Sequence, residues 1–155
     1  MLKSGLIFAA VVLSSLVFGR ESYADAQHPS RAIEGGTRIR LVIDDTVVPA
    51  ILNNSKSSQA LISKLPYTAT LYRGSSGYCG TIGDQLPVED KDMHRGWLNG
   101  DIVYSVNTDE LAIPYKKEEI SENLYSGLVT LGVVETPFST LDAFGGSITV
   151  RIELE

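Results

Sequence analysis

The chain has 155 residues and carries 13 lysines and arginines against 19 aspartates and glutamates, a net charge of −6. That balance argues against nucleic acid, whose phosphates need a basic surface, and against docking on anionic lipid. A single cysteine, Cys79, excludes an internal disulfide, so stability must come from packing.

The chain opens on Met1-Leu2-Lys3, a short basic start. Leu6 to Phe18 follows, apolar except for Ser14 and Ser15. This run is shorter than the roughly 20 residues that span a bilayer. Gly19-Arg20-Glu21-Ser22 restores polarity, and Ala24 and Ala26 place small residues where a signal peptidase reads. Residues 1–26 are therefore expected to be a signal peptide cleaved after Ala26, the alternative being an uncleaved membrane anchor. The expected location is secreted or periplasmic, with no stable membrane insertion after cleavage. Residues 27–37 contain Pro29 and Gly35-Gly36 and read as a flexible leader. Residues 38–155 form one domain.

Ile39, Leu41 and Ile43 alternate with less apolar residues, the period of a half-buried strand. Asp44-Asp45 suits a tight turn, because short Asx side chains tolerate positive φ. The return strand, Thr46 to Leu52, contains Pro49, which points to an edge or a bulge. Asn53-Asn54-Ser55 is formally a glycosylation sequon, but Ser55 is better placed as the N-cap of a helix over Lys56 to Leu65, stopped by Pro66. Tyr67 to Arg73 is a strand. Gly74 to Gly83, with four glycines, reads as a loop or a strongly bent strand. Asp84 to Gly100 is polar loop. Ile102–Val106 and Leu111–Tyr115 pair across the turn at Asn107, and Lys116 to Asn123 is a charged, exposed segment. Leu128 to Val134 is a strand. Ser139 is expected to cap a short helix ending at Gly145-Gly146. The last strand points Ile148, Val150, Ile152 and Leu154 one way. Seven or eight short strands with two short helices suit a closed or nearly closed antiparallel barrel, mainly β.

Five stretches, taken in order, resemble the small bacterial cyclophilin-like domain family. They are Asn53 to Tyr67 (NNSKSSQALISKLPY), Asp84 to Pro87 (DQLP), Gly100 to Tyr104 (GDIVY), Leu111 to Lys116 (LAIPYK) and Leu128 to Gly132 (LVTLG). Pro114 departs from the family pattern, where an aromatic or aliphatic residue is usual. The resemblance covers about residues 38–155 and implies a cyclophilin-like closed antiparallel barrel capped by two short helices. It implies no established substrate, and no cofactor is expected.

True cyclophilins isomerise X-Pro bonds with an arginine beside a hydrophobic groove, against a rotation barrier of about 18–20 kcal/mol. By resemblance, Arg73 is the catalytic candidate here, with Tyr72 beside it. The longer cyclophilin signature of aromatic, His, Arg and Gln-Gly-Gly is absent, and strand alternation places Tyr72 and Arg73 on opposite faces. The competing reading of Arg73 is a solvated charge at a strand end. Tyr72, Tyr78, Trp97, Tyr104 and Tyr115 are the candidate ligand-binding residues, since aromatics with a polar tip favour interfaces; their alternative role is to fill the barrel. Asp90, Asp92 and His94 would share one face of a strand, but they lack the ligand count of a structural zinc, and no metal is assigned. Cys79 reads as a small residue near a glycine-rich loop. The expected function is an exported binding module for a peptide segment or small molecule. The alternatives are a peptidyl-prolyl isomerase or a structural interaction domain.

Overall fold

The computed structural model describes residues 35–155, so the expected signal peptide and most of the leader lie outside the described residues. β1 (Thr37–Ile43) and β2 (Thr46–Leu52) form the first hairpin, turned at Asp44 with φ 52°. α1 (Lys56–Ile62), β3 (Tyr67–Arg73), β4 (Gly77–Thr81) and a two-residue β5 (Met93–His94) follow. Next come β6 (Asp101–Ser105), β7 (Glu110–Pro114), α2 (Glu118–Leu124), β8 (Leu128–Val134), α3 (Phe138–Asp142) and β9 (Ser147–Leu154). The strands run in the order β2-β1-β9-β3-β4-β7-β6-β8, and β8 pairs back onto β2, which closes an antiparallel barrel of eight strands; β5 lies beside β8 outside that circuit.

Alternation fills the barrel. Ile39, Leu41 and Ile43 from β1, Val48, Ala50 and Leu52 from β2, and Ile148, Val150 and Ile152 from β9 are all buried in one core. Each large aliphatic among them contributes roughly 1.5–3 kcal/mol by leaving water. Leu154, which shares their parity, lies at the strand end and is 53% exposed. The seam between β2 and β8 is tight. A Cβ on Gly132 would stand 2.0 Å from the Ile51 carbonyl oxygen, so only glycine lets the two backbones approach. Beside it, the pairing of β6 with β8 skips Leu131, a bulge. The Leu131 carbonyl is satisfied instead by the backbone N–H of Asn53 at 2.7 Å and the Ser58 hydroxyl at 2.8 Å.

Several expectations need correction. β2 is not an edge strand. Pro49 pairs with Arg40 on one side, and on the other its carbonyl accepts from the Glu135 N–H, just where β8 has ended. Its missing N–H faces that locally open side, so no ladder bond is lost. α1 does start at an N-cap, with the Ser55 hydroxyl accepting from the Ser58 N–H, but it ends at Ile62 rather than Leu65, tightening into three-residue turns toward Pro66. Asn53 is 1% exposed and its side-chain amide donates to the Thr130 carbonyl, so the sequon's acceptor nitrogen is inside the fold. Of the two readings of Gly74–Gly83, loop or bent strand, the strand holds: it contains β4, whose Gly80 has a would-be Cβ 2.2 Å from the Thr70 carbonyl oxygen. Asp90–Asp92 is a 3-10 turn, not part of a strand, and among the described residues no three His, Cys, Asp or Glu side chains are grouped to hold a metal.

The charged segment after Tyr115 is a third helix, α2. Its only buried residue is Ser121, whose hydroxyl takes the Trp97 N–H at 2.9 Å. α3 begins at Phe138 after Pro137, one residue ahead of the expected Ser139 cap. α1 and α3 pack on the core through Leu61 and Leu141, whereas no residue of α2 joins it.

Candidate functional site

Arg73 is the last residue of β3 and turns inward over one end of the barrel. Its Nη1 donates to the Tyr115 hydroxyl at 2.7 Å and to Asp142 Oδ1 at 3.1 Å. Its Nη2 donates to the Tyr78 hydroxyl at 2.7 Å, to the Asp142 carbonyl at 2.9 Å and to the Phe144 carbonyl. The guanidinium also lies 5.0 Å from the centre of the Tyr78 ring, a cation–π contact. Tyr78 in turn donates to the Gly145 carbonyl at 2.7 Å. Asp142 Oδ1 collects three donors, adding the Tyr115 hydroxyl at 3.0 Å and Lys116 Nζ at 2.9 Å. One arginine thereby ties β3, β4, the residue that follows β7, α3 and the turn before β9 into a latch.

The chemistry of the latch is that of a fixed charge cluster. Burial, and then the hydrogen bond to Asp142, push the Tyr115 phenol up to about 12. Burial likewise raises Tyr78, against the lowering effect of Arg73. Hydrogen bonds from Lys116 and then Tyr115 hold the Asp142 carboxyl below its ordinary value. At neutral pH the cluster therefore holds the Arg73 cation against one carboxylate and two neutral phenols. Both terminal nitrogens of Arg73 already have acceptors. Donation to a prolyl nitrogen requires the guanidinium to give some of these up.

Tyr72, the residue before Arg73, faces the other way and is 58% exposed. It sits in a row that crosses the outer face of the barrel. Ser147 of β9 pairs with Tyr72 of β3, Tyr72 with Cys79 of β4, Cys79 with Ala112 of β7, and Ala112 with Val103 of β6. Directly paired residues project from the same face. Cys79 and Ala112 are small and half-buried, a low floor beside the tyrosine. At the far end Trp97 packs on Val103, Leu128 and Ala112, held by its Nε1–H donating to the Lys116 carbonyl at 3.1 Å. Tyr125 completes that end, its ring centre 5.0 Å from that of Trp97. From Tyr72 to Val103 is three strand spacings, roughly 14 Å. Burial, and then the charge of Glu110, raise the Cys79 thiol, so it is a protonated apolar floor group.

The fold thus divides the residues singled out in the sequence. Arg73, Tyr78 and Tyr115 meet in the latch; Tyr72 and Trp97 bound the outer row; Tyr104 belongs to neither. Its hydroxyl donates to Asp109 Oδ1 at 2.7 Å and accepts from the Leu86 N–H at 3.3 Å, inside the core. Of the five aromatics only Tyr72 is exposed; Tyr78, Trp97, Tyr104 and Tyr115 are 1–5% exposed. His94 is half-buried, with Nε2 2.8 Å from the Thr130 hydroxyl. Sequence reasoning did not single out Asp142, which is 69 residues from Arg73, nor Lys116, Ala112 and Tyr125, which have no local signature.

Comparison with known proteins agrees with this architecture. The model of the cyclophilin-like family matches residues 41–153. A hypothetical protein of Archaeoglobus fulgidus, known from its solution structure, superposes with a TM-score of 0.60 at 17% identity, covering 77% of this chain and 95% of its own. At that identity the likeness is one of fold. No curated protein matches. The chain belongs to the cyclophilin-like family.

Proposed function

We propose that this cyclophilin-like barrel is an exported binding module, and that its ligand, a peptide segment or small molecule, seats an apolar group over Cys79 and Ala112 between Tyr72 and Trp97. The observation that carries the reading is the cross-strand row itself, in which one well-exposed aromatic stands beside two small half-buried residues. An apolar group placed there gains a floor, the Tyr72 face and, at the far end, the exposed Tyr125 ring that lies against Trp97, a composition favoured in recognition sites. Export rests on the signal-like residues 1–26, and an intact mass beginning at Gln27 supports it, whereas retention of residues 1–26 overturns it.

Trp97 is the only tryptophan, so its fluorescence reports on the row. Titrating the purified protein with X-Pro peptides, other apolar peptides and small aromatic acids is expected to shift Trp97 emission for at least one class. Tyr72→Ala removes that shift. No change in emission, and none in the amide resonances of Tyr72, Cys79 and Ala112, refutes the site. The same peptides serve in a prolyl-isomerase assay. Acceleration that vanishes in Arg73→Ala, with the fold intact, replaces the binding reading by the catalytic one.

A further inference from the structure

We infer that the occupant of the outer row is an extended peptide segment, apolar and basic, that continues from the row onto α2. This rests on the reading above and adds the class and length of the ligand.

α2 lies on the barrel's flank with one buried residue, and it exposes Ile120 at 42% and Leu124 at 57%. These two are four residues apart and so share a helix face. Tyr125, 47% exposed, follows Leu124 and packs on Trp97. The apolar residues follow one another: Tyr72, Cys79 and Ala112 along the row, Ala112 packed against the Trp97 cluster, Trp97 (5% exposed) against the exposed Tyr125, and Leu124 and Ile120 preceding Tyr125 on α2. The two parts, roughly 14 Å across the strands and about 7 Å along the helix, match some six residues of extended chain. A small molecule covers only one end. Closure of the barrel leaves no long strand edge for the peptide to join, so the contacts are made by side chains.

Charge selects the partner's sign. Glu110 flanks Cys79, and Glu118, Glu119 and Glu122 lie on α2. Glu118 accepts the Asn99 N–H, while among the described residues the carboxylates of Glu110, Glu119 and Glu122 enter no hydrogen bond or ion pair. The nearby cations are fewer. Lys116 is paired with Asp142, which leaves Lys117 and Arg95, the latter donating to the Glu122 carbonyl. Lysines or arginines between the apolar residues of the ligand meet this excess.

The probes are a synthetic peptide of about seven residues alternating leucine and lysine, the same peptide with glutamate for lysine, and its three-residue fragment. Binding is followed by Trp97 emission and amide shifts. The lysine peptide is expected to bind about tenfold more tightly than the fragment, in line with losing two apolar anchors. The glutamate peptide binds more weakly. The surface variant Ile120→Ser/Leu124→Ser reduces the long peptide to the fragment's affinity and leaves the fragment unchanged. If fragment and long peptide bind alike, if the glutamate peptide binds as well, or if the α2 variant changes nothing while Tyr72→Ala abolishes binding, the inference is wrong and the row survives. If no peptide or fragment binds, and small aromatic acids do not either, the row itself is lost with it.

Discussion

If Arg73 is a latch, removing a single hydroxyl from its shell must cost stability. Tyr78→Phe keeps the ring, which is 1% exposed, and deletes only the oxygen. That oxygen accepts from Arg73 at 2.7 Å and donates to the Gly145 carbonyl at 2.7 Å. Neither partner is stranded. Arg73 Nη2 keeps the Asp142 and Phe144 carbonyls, and Gly145 is exposed, so its carbonyl regains water. The loss is then two ordinary net hydrogen bonds, about 2 kcal/mol in all. In a domain of this size each kcal/mol moves the melting temperature by about 4 °C, so thermal unfolding followed by circular dichroism should show a fall of about 8 °C. The ligand proposed for the outer row should bind this variant as it binds the unaltered protein, because Tyr72 and Tyr78 face opposite sides of the sheet. A fall under about 2 °C, well below the cost of one hydrogen bond, refutes the latch.

Two further outcomes follow from the same geometry. Gly132→Ala puts a methyl group 2.0 Å from the Ile51 carbonyl at the seam that closes the barrel, and should cost about 3 kcal/mol or more in urea unfolding; an unchanged midpoint means the seam is looser than described. Tyr115, raised from 10.0 to about 12, binds its proton more tightly folded than unfolded, so stability is full below pH 10 and falls as pH climbs through 10 to 12. Tyr115→Phe should flatten that alkaline limb, and a limb of unchanged slope places the phenol in solvent.

How far these features were legible depends on what kind of signal each residue carries. β3 was readable to the residue, and β1 and β9 nearly so, because their buried and exposed positions alternate, whereas β8 was readable to the residue as a short, nearly unbroken apolar run, buried throughout. The start of α1 was readable from Ser55, whose hydroxyl does the capping. β4 was legible only as one of two alternatives, loop or bent strand, because its glycines have no side chains to alternate; Gly77 and Gly80 let the Ile113 and Thr70 carbonyls come close. α2 was hidden because it docks by one serine hydroxyl rather than by an apolar stripe, so its sequence reads as a charged loop. Two helices were expected as caps and two do cap the core; the third lies on the flank.

The candidate site was legible in its members but not in its grouping. Each of Arg73, Tyr78 and Tyr115 could be named from sequence, yet their meeting requires β4 to lie between β3 and β7, and Asp142 to return from another helix. What alternation did foretell was the separation of Tyr72 from Arg73, and that separation has a functional consequence. Neighbouring residues of one strand serve opposite faces, one a packed charge cluster and the other an open row. A change at Arg73 therefore acts on the fold, and a change at Tyr72 acts on the surface. The side chains of Tyr72 and Arg73 share no hydrogen-bond partner, so the two effects should be close to additive, any coupling passing through Lys116, which pairs with Asp142 and holds Trp97 by its carbonyl. Arg73→Ala combined with Tyr72→Ala should show the sum of the single losses, in stability and in binding alike. A large coupling between them would mean that the latch holds the row in shape, and would make Arg73 part of the proposed binding site.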